Sequence, residues 1–425
     1  MNNPIVFRGI VFLACLSLLL SCNHKKAGRT QGSNTGIPES AGFSSEKLAR
    51  IDTFLYDMVN QGMMPNAVTF VYRKGKIVHH KAFGFKDIEK KEPVELNSIY
   101  RIASQTKALT SVGLMMLYEK GLFLLDDPVS KYIPEFKNPQ VLVKINPGDS
   151  SYTSRPAKTE ITIRQLLSHS SGIPYPNEVY LKCRIPGVNS LQPVTIGEIT
   201  RKLAKLPLVH DPGEVFTYGL NTDVLGHLIE ILSGKSLDRY FKEDLFTPLE
   251  MNDSYFYLPE EKTARLVTLY ANDSLKGKLY PSRNIANQTY PYSGAKTYFS
   301  GGAGIVGSIK DYANFCEMLL NNGIFKGKQI LGRKTIELML RNQIGSAEVW
   351  NTKNKFGLGF ELMTEEGLAN QPGTFGSFGW GGLYSTDYLI DPKEDMFMII
   401  YTNAYPFSNP DINKRFKVMV YQALL

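Results

Sequence analysis

The 425-residue sequence predicts an α+β fold: an antiparallel sheet flanked by helices, with an inserted and mainly helical subdomain. Three observations carry this prediction. Strand patterns lie near both ends of the chain. Helical spacing and long Pro/Gly-containing loops fill the stretch from Asp126 to about Tyr290. An apolar helix directly follows the first strands. An apolar content of 43% with 11% aromatics is that of a globular chain with a sizeable core, which excludes a disordered one.

The N-terminus reads as a processing segment. After Arg8, Gly9 to Leu20 is apolar but too short to span a bilayer as a mature anchor. It ends Leu19-Leu20-Ser21-Cys22, which resembles the lipobox of bacterial lipoproteins. That resemblance implies removal of residues 1–21, lipidation of Cys22, and an exported protein tied to a membrane in the periplasm or at the cell surface. An ordinary secretory signal is the alternative, and it too means export. Residues 22–38 are polar and rich in Lys, Gly, Ser, Asn and Thr, a flexible tether. The folded domain is expected over 39–425, with the insertion at about 126–290.

Within that domain, Phe43 to Gly62 has a helical stripe of Leu48, Ile51, Leu55, Met58 and Val59, with Ser44 as N-cap and Phe43–Leu48 as hydrophobic staple. Ala67–Tyr72 and Lys76–Phe83 flank Arg73-Lys74-Gly75, a β-hairpin signature. Helical patterns recur at Ile163 to His169, Ile196 to Leu203, Thr222 to Leu232 and Ile309 to Leu320. Strands are expected at Gly357–Leu362, Tyr384–Ile390 and Met396–Thr402, the last two joined by the turn Asp391–Asp395, and a helix from about Pro410 closes the chain.

The net charge of +8 is mild at this length and its lysines and arginines are scattered, so no nucleic-acid-binding stripe is present. If Cys15 leaves with the signal and Cys22 carries lipid, Cys183 and Cys316 remain, too few for a disulfide framework. No Cys/His spacing suggests zinc, and neither metal nor cofactor is expected.

The chemistry concentrates on Ile102 to Gly121. It reads as a helix starting at or just before Ser104, apolar nearly all round from Ala108 to Tyr118, and stopped by Gly121. Ser104 and Lys107 lie one turn apart on one face of its first turn. A serine hydroxyl needs a neighbouring base to become nucleophilic. A buried lysine whose pKa is pushed down does that, or it holds another base deprotonated. The spacing alone is weak, since Ser44–Lys47 and Ser293–Lys296 repeat it. A capping serine beside a surface lysine is the plain alternative.

Two further segments join it. One is Asp211-Pro212-Gly213-Glu214-Val215-Phe216-Thr217-Tyr218-Gly219-Leu220-Asn221-Thr222-Asp223-Val224-Leu225-Gly226; the other is Phe378-Gly379-Trp380-Gly381-Gly382-Leu383-Tyr384. With them the sequence resembles the serine hydrolases of the β-lactamase superfamily, in the class C, penicillin-binding-protein and family VIII esterase branch. The resemblance runs from about Gly42 to Thr402. It includes Leu166-Leu167-Ser168-His169-Ser170-Ser171-Gly172, Gly302-Ala303-Gly304-Ile305 and Phe356-Gly357-Leu358-Gly359-Phe360. It implies a β-lactamase/transpeptidase-like fold with Ser104 as nucleophile, Lys107 as its partner, and Tyr218 sharing the general-base role. It further implies an oxyanion hole from the Ser104 and Leu383 N–H groups beside Trp380, Gly381 and Gly382, with Asn221 near the substrate.

Two departures point away from lactams. Leu220 stands where lactamases carry the asparagine of Tyr-x-Asn, with Asn221 one residue later, and Trp380-Gly381-Gly382 replaces Lys-Thr-Gly. Trp380-Gly381-Gly382, together with the Tyr-x-x-x-x-Asp-Val-Leu-Gly spacing of Tyr218–Gly226, looks more like the esterase and acyltransferase members. The resemblance therefore implies an acyl-enzyme on Ser104 acting on a small-molecule ester or amide, first of all a small acyl ester. The alternatives are acyl transfer to an alcohol, a D-amino-acid peptidase or weak β-lactamase, and a non-enzymatic ligand-binding module. No Gly-x-Ser-x-Gly occurs, which excludes an α/β-hydrolase elbow. His79, His80, His169 and His227 read as structural.

Overall fold

The computed structural model describes residues 34–146, 149, 151–177, 179–180, 185, 187, 190–272, 278–409 and 411–425. The predicted signal peptide, Cys22, most of the tether and Cys183 lie outside them.

The two chain ends build one sheet. Its strands are β1 Asn34–Thr35, β2 Asn66–Arg73, β3 Lys76–Asp87, β4 Lys355–Phe356, β5 Glu361–Leu362, β6 Phe378–Gly382, β7 Thr386–Asp391 and β8 Met396–Tyr401. Their order is β1-β3-β2-β8-β7-β6-β5-β4, with Glu92–Pro93 added on β3. All neighbours pair antiparallel except β1 on β3. The N-terminal hairpin and the C-terminal strands meet at β2 and β8, with Phe70 opposite Ile399 and Val68 opposite Tyr401.

Period-two alternation sends alternate residues to opposite faces of this sheet. On the outer face Val71, Met398 and Ile400 pack against α1 (Ser45–Asn60) and the C-terminal helix, through Ile51, Leu55 and Phe416. Ser44 caps α1 as expected, its Oγ accepting from the Lys47 N–H at 3.2 Å. On the inner face Phe70, Phe397 and Ile399 pack against α2 (Thr106–Glu119) and the helix Ile309–Leu320. Every residue of α2 from Thr106 to Met115 is buried, as its all-round apolar character predicts. Gly121 follows in the left-handed region at φ 71°.

The inserted region supplies the remaining wall. Its helices α3 (Ile163–Leu167), α4 (Ile196–Leu203) and α5 (Asn221–Ser233) fall where the spacing places them, and α5 packs on α2. The region also holds two hairpins absent from the sequence reading, Gln140–Ile145 with Tyr152–Pro156 and Tyr270–Asn272 with Leu279–Pro281.

One strand differs from expectation. Gly357–Leu362 is a strand only at its end, because Gly359 adopts φ 99° and breaks the extended run. The segment instead bridges elements: Leu358 N–H donates to Met339 O at 2.9 Å and Gly359 N–H to Leu167 O at 3.0 Å. A Cβ on Gly359 would stand 2.4 Å from the Ser111 side chain of α2. This glycine is therefore a contact between the β4–β5 corner and the buried helix.

Candidate active site

The inner face of the sheet, α2 and the inserted region converge on a pocket of about 470 Å³. Ser104, Tyr218, Trp380, Gly381 and Leu383 line it together with Tyr175 and Trp350, which the sequence reading had not singled out.

Ser104 sits in the short 3₁₀ turn Ala103–Gln105 that leads into α2, one turn earlier than regular helix begins. Ala103 immediately before it has φ 45°, a conformation that costs an alanine about 1–2 kcal/mol. The surrounding contacts hold that turn in place. Ile102 N–H donates to Ile305 O at 3.2 Å, and Ile102 O accepts from Thr386 Oγ1 at 3.3 Å. Gly382 makes this approach possible, since a Cβ there would lie 2.3 Å from Ile102 O. Gly382 thus seats β6 against the Ser104 turn.

Lys107 is 2% exposed and has no carboxylate partner among the described residues. Its Nζ donates to Gly302 O at 2.7 Å, to Tyr175 Oη at 2.8 Å and to Ser104 Oγ at 3.4 Å. Three acceptors match the three protons of an ammonium. Burial opposes the charge, but the two tyrosine oxygens outweigh it and hold the lysine above its ordinary value. The sequence reading offered a lysine pushed down towards neutrality or one that holds another base deprotonated; the raised value speaks against the first. Buried Asp223, which accepts from Ser300 Oγ at 2.7 Å and Tyr298 Oη at 3.1 Å, is within electrostatic reach of the same ammonium.

Tyr218 lies under the Lys107 Nζ, which is 4.7 Å from its ring centroid, and its Oη accepts from Trp380 Nε1 at 3.1 Å. One of the three lysine hydrogen bonds goes to Tyr175, whose phenol burial pushes up to about 12, while Tyr218 also helps hold the lysine charged. Tyr175 follows Leu166–Gly172 by three residues in Ile173-Pro174-Tyr175, so its place next to that segment is the only mark it carries in the sequence. His169 packs 5.0 Å from the Tyr218 ring, and burial together with the Lys107 charge keeps it neutral.

Asn221 does not reach the pocket. It is fully buried, and its amide donates to His169 Nδ1 at 3.0 Å and Ile173 O at 3.2 Å, while its carbonyl accepts from Ser171 Oγ. The expected substrate contact is replaced by a brace under the loop that carries Tyr175. The reason is register: α5 begins at Asn221 and turns it inward. Leu383 is 51% exposed at the pocket mouth, and its N–H finds no acceptor among the described residues. His79 and His227 are structural, bonded to Asp52 and Thr69 and to Thr200, respectively.

A sheet built from both chain ends, a serine and a lysine at the start of a buried helix, and a tyrosine ring against that lysine fit a serine hydrolase of the penicillin-binding type. The sequence pattern of the Beta-lactamase family matches residues 51–419, and the chain belongs to that family. It is 28% identical to Protein Rv1367c of Mycobacterium tuberculosis, over 81% of this chain and 86% of that one. It is 27% identical to Esterase EstB of Burkholderia gladioli, over 84% of this chain and 90% of that protein. Among solved structures it resembles EstCE1, a hydrolase with promiscuous acyltransferase activity, at TM-score 0.76 and 26% identity, covering 88% of this chain and 99% of that one. The protein is a serine hydrolase or acyl transferase of the β-lactamase fold.

Proposed function

We propose that the protein is an exported esterase that works through an acyl-enzyme on Ser104. The observation that carries this is the Lys107 ammonium, buried without a carboxylate partner among the described residues and hydrogen-bonded to Ser104 Oγ and Tyr175 in an apolar pocket. In this mechanism Tyr218 takes the Ser104 proton as Oγ attacks the ester carbonyl. The Lys107 charge and the Trp380 indole N–H stabilise the phenolate that the proton's departure requires. The Ser104 and Leu383 N–H groups receive the oxyanion, Leu383 having a donor to spare. Tyr218 then returns the proton to the leaving alcohol oxygen, the carbonyl–alkoxy bond breaks, and the acyl group stays on Ser104. Water, activated through the same tyrosine, releases the acid.

An alcohol in place of water gives acyl transfer, a second reading favoured by the aromatic walls of the pocket. The lactam reading has less support, because Trp380 and Leu220 replace the polar groups that would grip a lactam. Intact-protein mass after mixing with a short-chain ester is the test. A Ser104-dependent acyl adduct that decays is expected, and full turnover by Ser104→Ala would sink the mechanism. Lipidation at Cys22 belongs to the same proposal. It predicts partition into detergent that Cys22→Ala abolishes, and a mature protein that stays in the aqueous phase regardless would refute it.

A further inference from the structure

The chain has two tryptophans, Trp350 and Trp380, and they meet in the pocket. Trp350 stacks on Trp380 with ring centroids 5.5 Å apart and planes at 27°. Its edge meets Tyr218 at 5.7 Å and Phe216 at 5.9 Å. It is nonetheless 57% exposed, while Trp380 is buried. A large apolar ring left half in water and facing a cavity marks a surface made for a ligand.

The backbone around Trp350 strengthens this reading. Trp350 has φ 50°, a strained conformation for a bulky side chain, and such strain persists only where the surroundings impose it. The surroundings do so here. Val349 N–H donates to Asn354 O at 3.0 Å, and Lys355 Nζ donates to Ser346 O and Ala347 O at 2.9 and 2.8 Å. On the far side Glu361 Oε1 accepts from Asn354 Nδ2 at 2.7 Å, so the loop is tied to the sheet edge at both ends. The indole is held ready, which lowers the ordering cost of binding.

We infer that Trp350, stacked on Trp380, forms a leaving-alcohol subsite that takes a planar aromatic alcohol. The inference rests on the acyl-enzyme reading, because that reading fixes which side of the ester lies here. Tyr218 must deliver its proton to the leaving oxygen, so the alcohol lies beside Tyr218, and the exposed ring beside Tyr218 is Trp350. A flat ring stacks on the indole; a saturated ring of similar size fills the same space without that stacking. The same subsite would present an aromatic alcohol as acyl acceptor, since the reverse step uses the same position.

The test compares benzyl, cyclohexylmethyl and ethyl propionate, which share one acyl group and have leaving alcohols of similar basicity. Wild type is expected to favour benzyl over cyclohexylmethyl in kcat/KM. Trp350→Ala should lower that ratio about tenfold, and Trp350→Phe should keep most of it. Should Trp350→Ala not fold, Trp350→Leu replaces it. Wild type offers a further measure, the preference of its acyl-enzyme for benzyl alcohol over cyclohexylmethanol as acceptor. Equal use of the two esters by wild type, or a ratio within twofold of wild type in the alanine or leucine variant, overturns the subsite while leaving the esterase intact. Absence of Ser104-dependent turnover for all three esters overturns the esterase reading and the subsite with it.

Discussion

Ser44–Lys47 and Ser104–Lys107 have the same spacing, each at the start of a helix, and they differ in everything else. Ser44 precedes a helix that lies on the outer face of the sheet, and its Oγ accepts the Lys47 backbone N–H, leaving the lysine side chain half in solvent. Ser104 precedes a helix sunk between the sheet and the inserted region, and it is the Lys107 side chain that donates to its Oγ. A third pair, Ser293–Lys296, has an exposed lysine. The difference shows that one turn of helix sets proximity, and that burial converts proximity into chemistry. In water an ammonium is solvated and screened; in the interior its field falls on the nearest polarisable group.

The largest test of this contrast removes each hydroxyl. Ser104→Ala should lower kcat by at least about 10⁴-fold with the fold retained. Ser44→Ala should leave turnover unchanged and cost about 1 kcal/mol in denaturant unfolding, as the loss of a cap does. Equal effects on turnover would erase the distinction.

The lysines form the next pair. Lys107→Gln should cost about 10³-fold in kcat, whereas Lys47→Gln should be silent in the same assay. Tyr175→Phe removes one of the three acceptors that hold the ammonium without removing the proposed base. It should cost about 10-fold, against about 10³-fold for Tyr218→Phe. A reversed order of the two tyrosines would move the base to Tyr175.

The pH profile separates the two roles considered for Lys107. A neutral lysine base needs a depressed pKa and gives a rate that rises through neutrality as the lysine loses its proton. Here the pKa is raised, so the folded protein keeps that proton at every pH below the usual lysine value of ~10.4. The profile of kcat/KM should therefore show no rise between about pH 6 and 8 that Lys107→Gln abolishes. The smallest effect is expected at Asn221. Asn221→Ala leaves His169 and the Ile173 carbonyl without their partner and should lower stability by about 1–3 kcal/mol, read from unfolding, with KM little changed. A specific rise in KM at full stability would restore it to the substrate.

Much of the fold was readable because local patterns and burial agree. The hairpin β2–β3, the capped helix α1 and the buried helix α2 each follow from side-chain period and one or two terminal residues. The Gly357–Leu362 strand failed because a single left-handed glycine, required by Ser111 of a distant helix, outweighed a strand-like composition. Of the site, Ser104, Lys107, Tyr218 and the Trp380-Gly381-Gly382 segment lie in recognisable motifs. Trp350 belongs to none, and only contact with Phe216, Tyr218 and Trp380 gives it a place.

The sequence by itself determined the capped helix α1, the buried helix α2, the hairpin β2–β3 and the family, since these depend on spacing along a backbone of fixed geometry. The tertiary structure alone decided which Ser-x-x-Lys is buried, that Tyr175 takes one of the lysine hydrogen bonds, that Asn221 is a brace, and that both tryptophans stack in one pocket. Protonation and stacking depend on dielectric and distance in space, and neither is a property of neighbours in sequence.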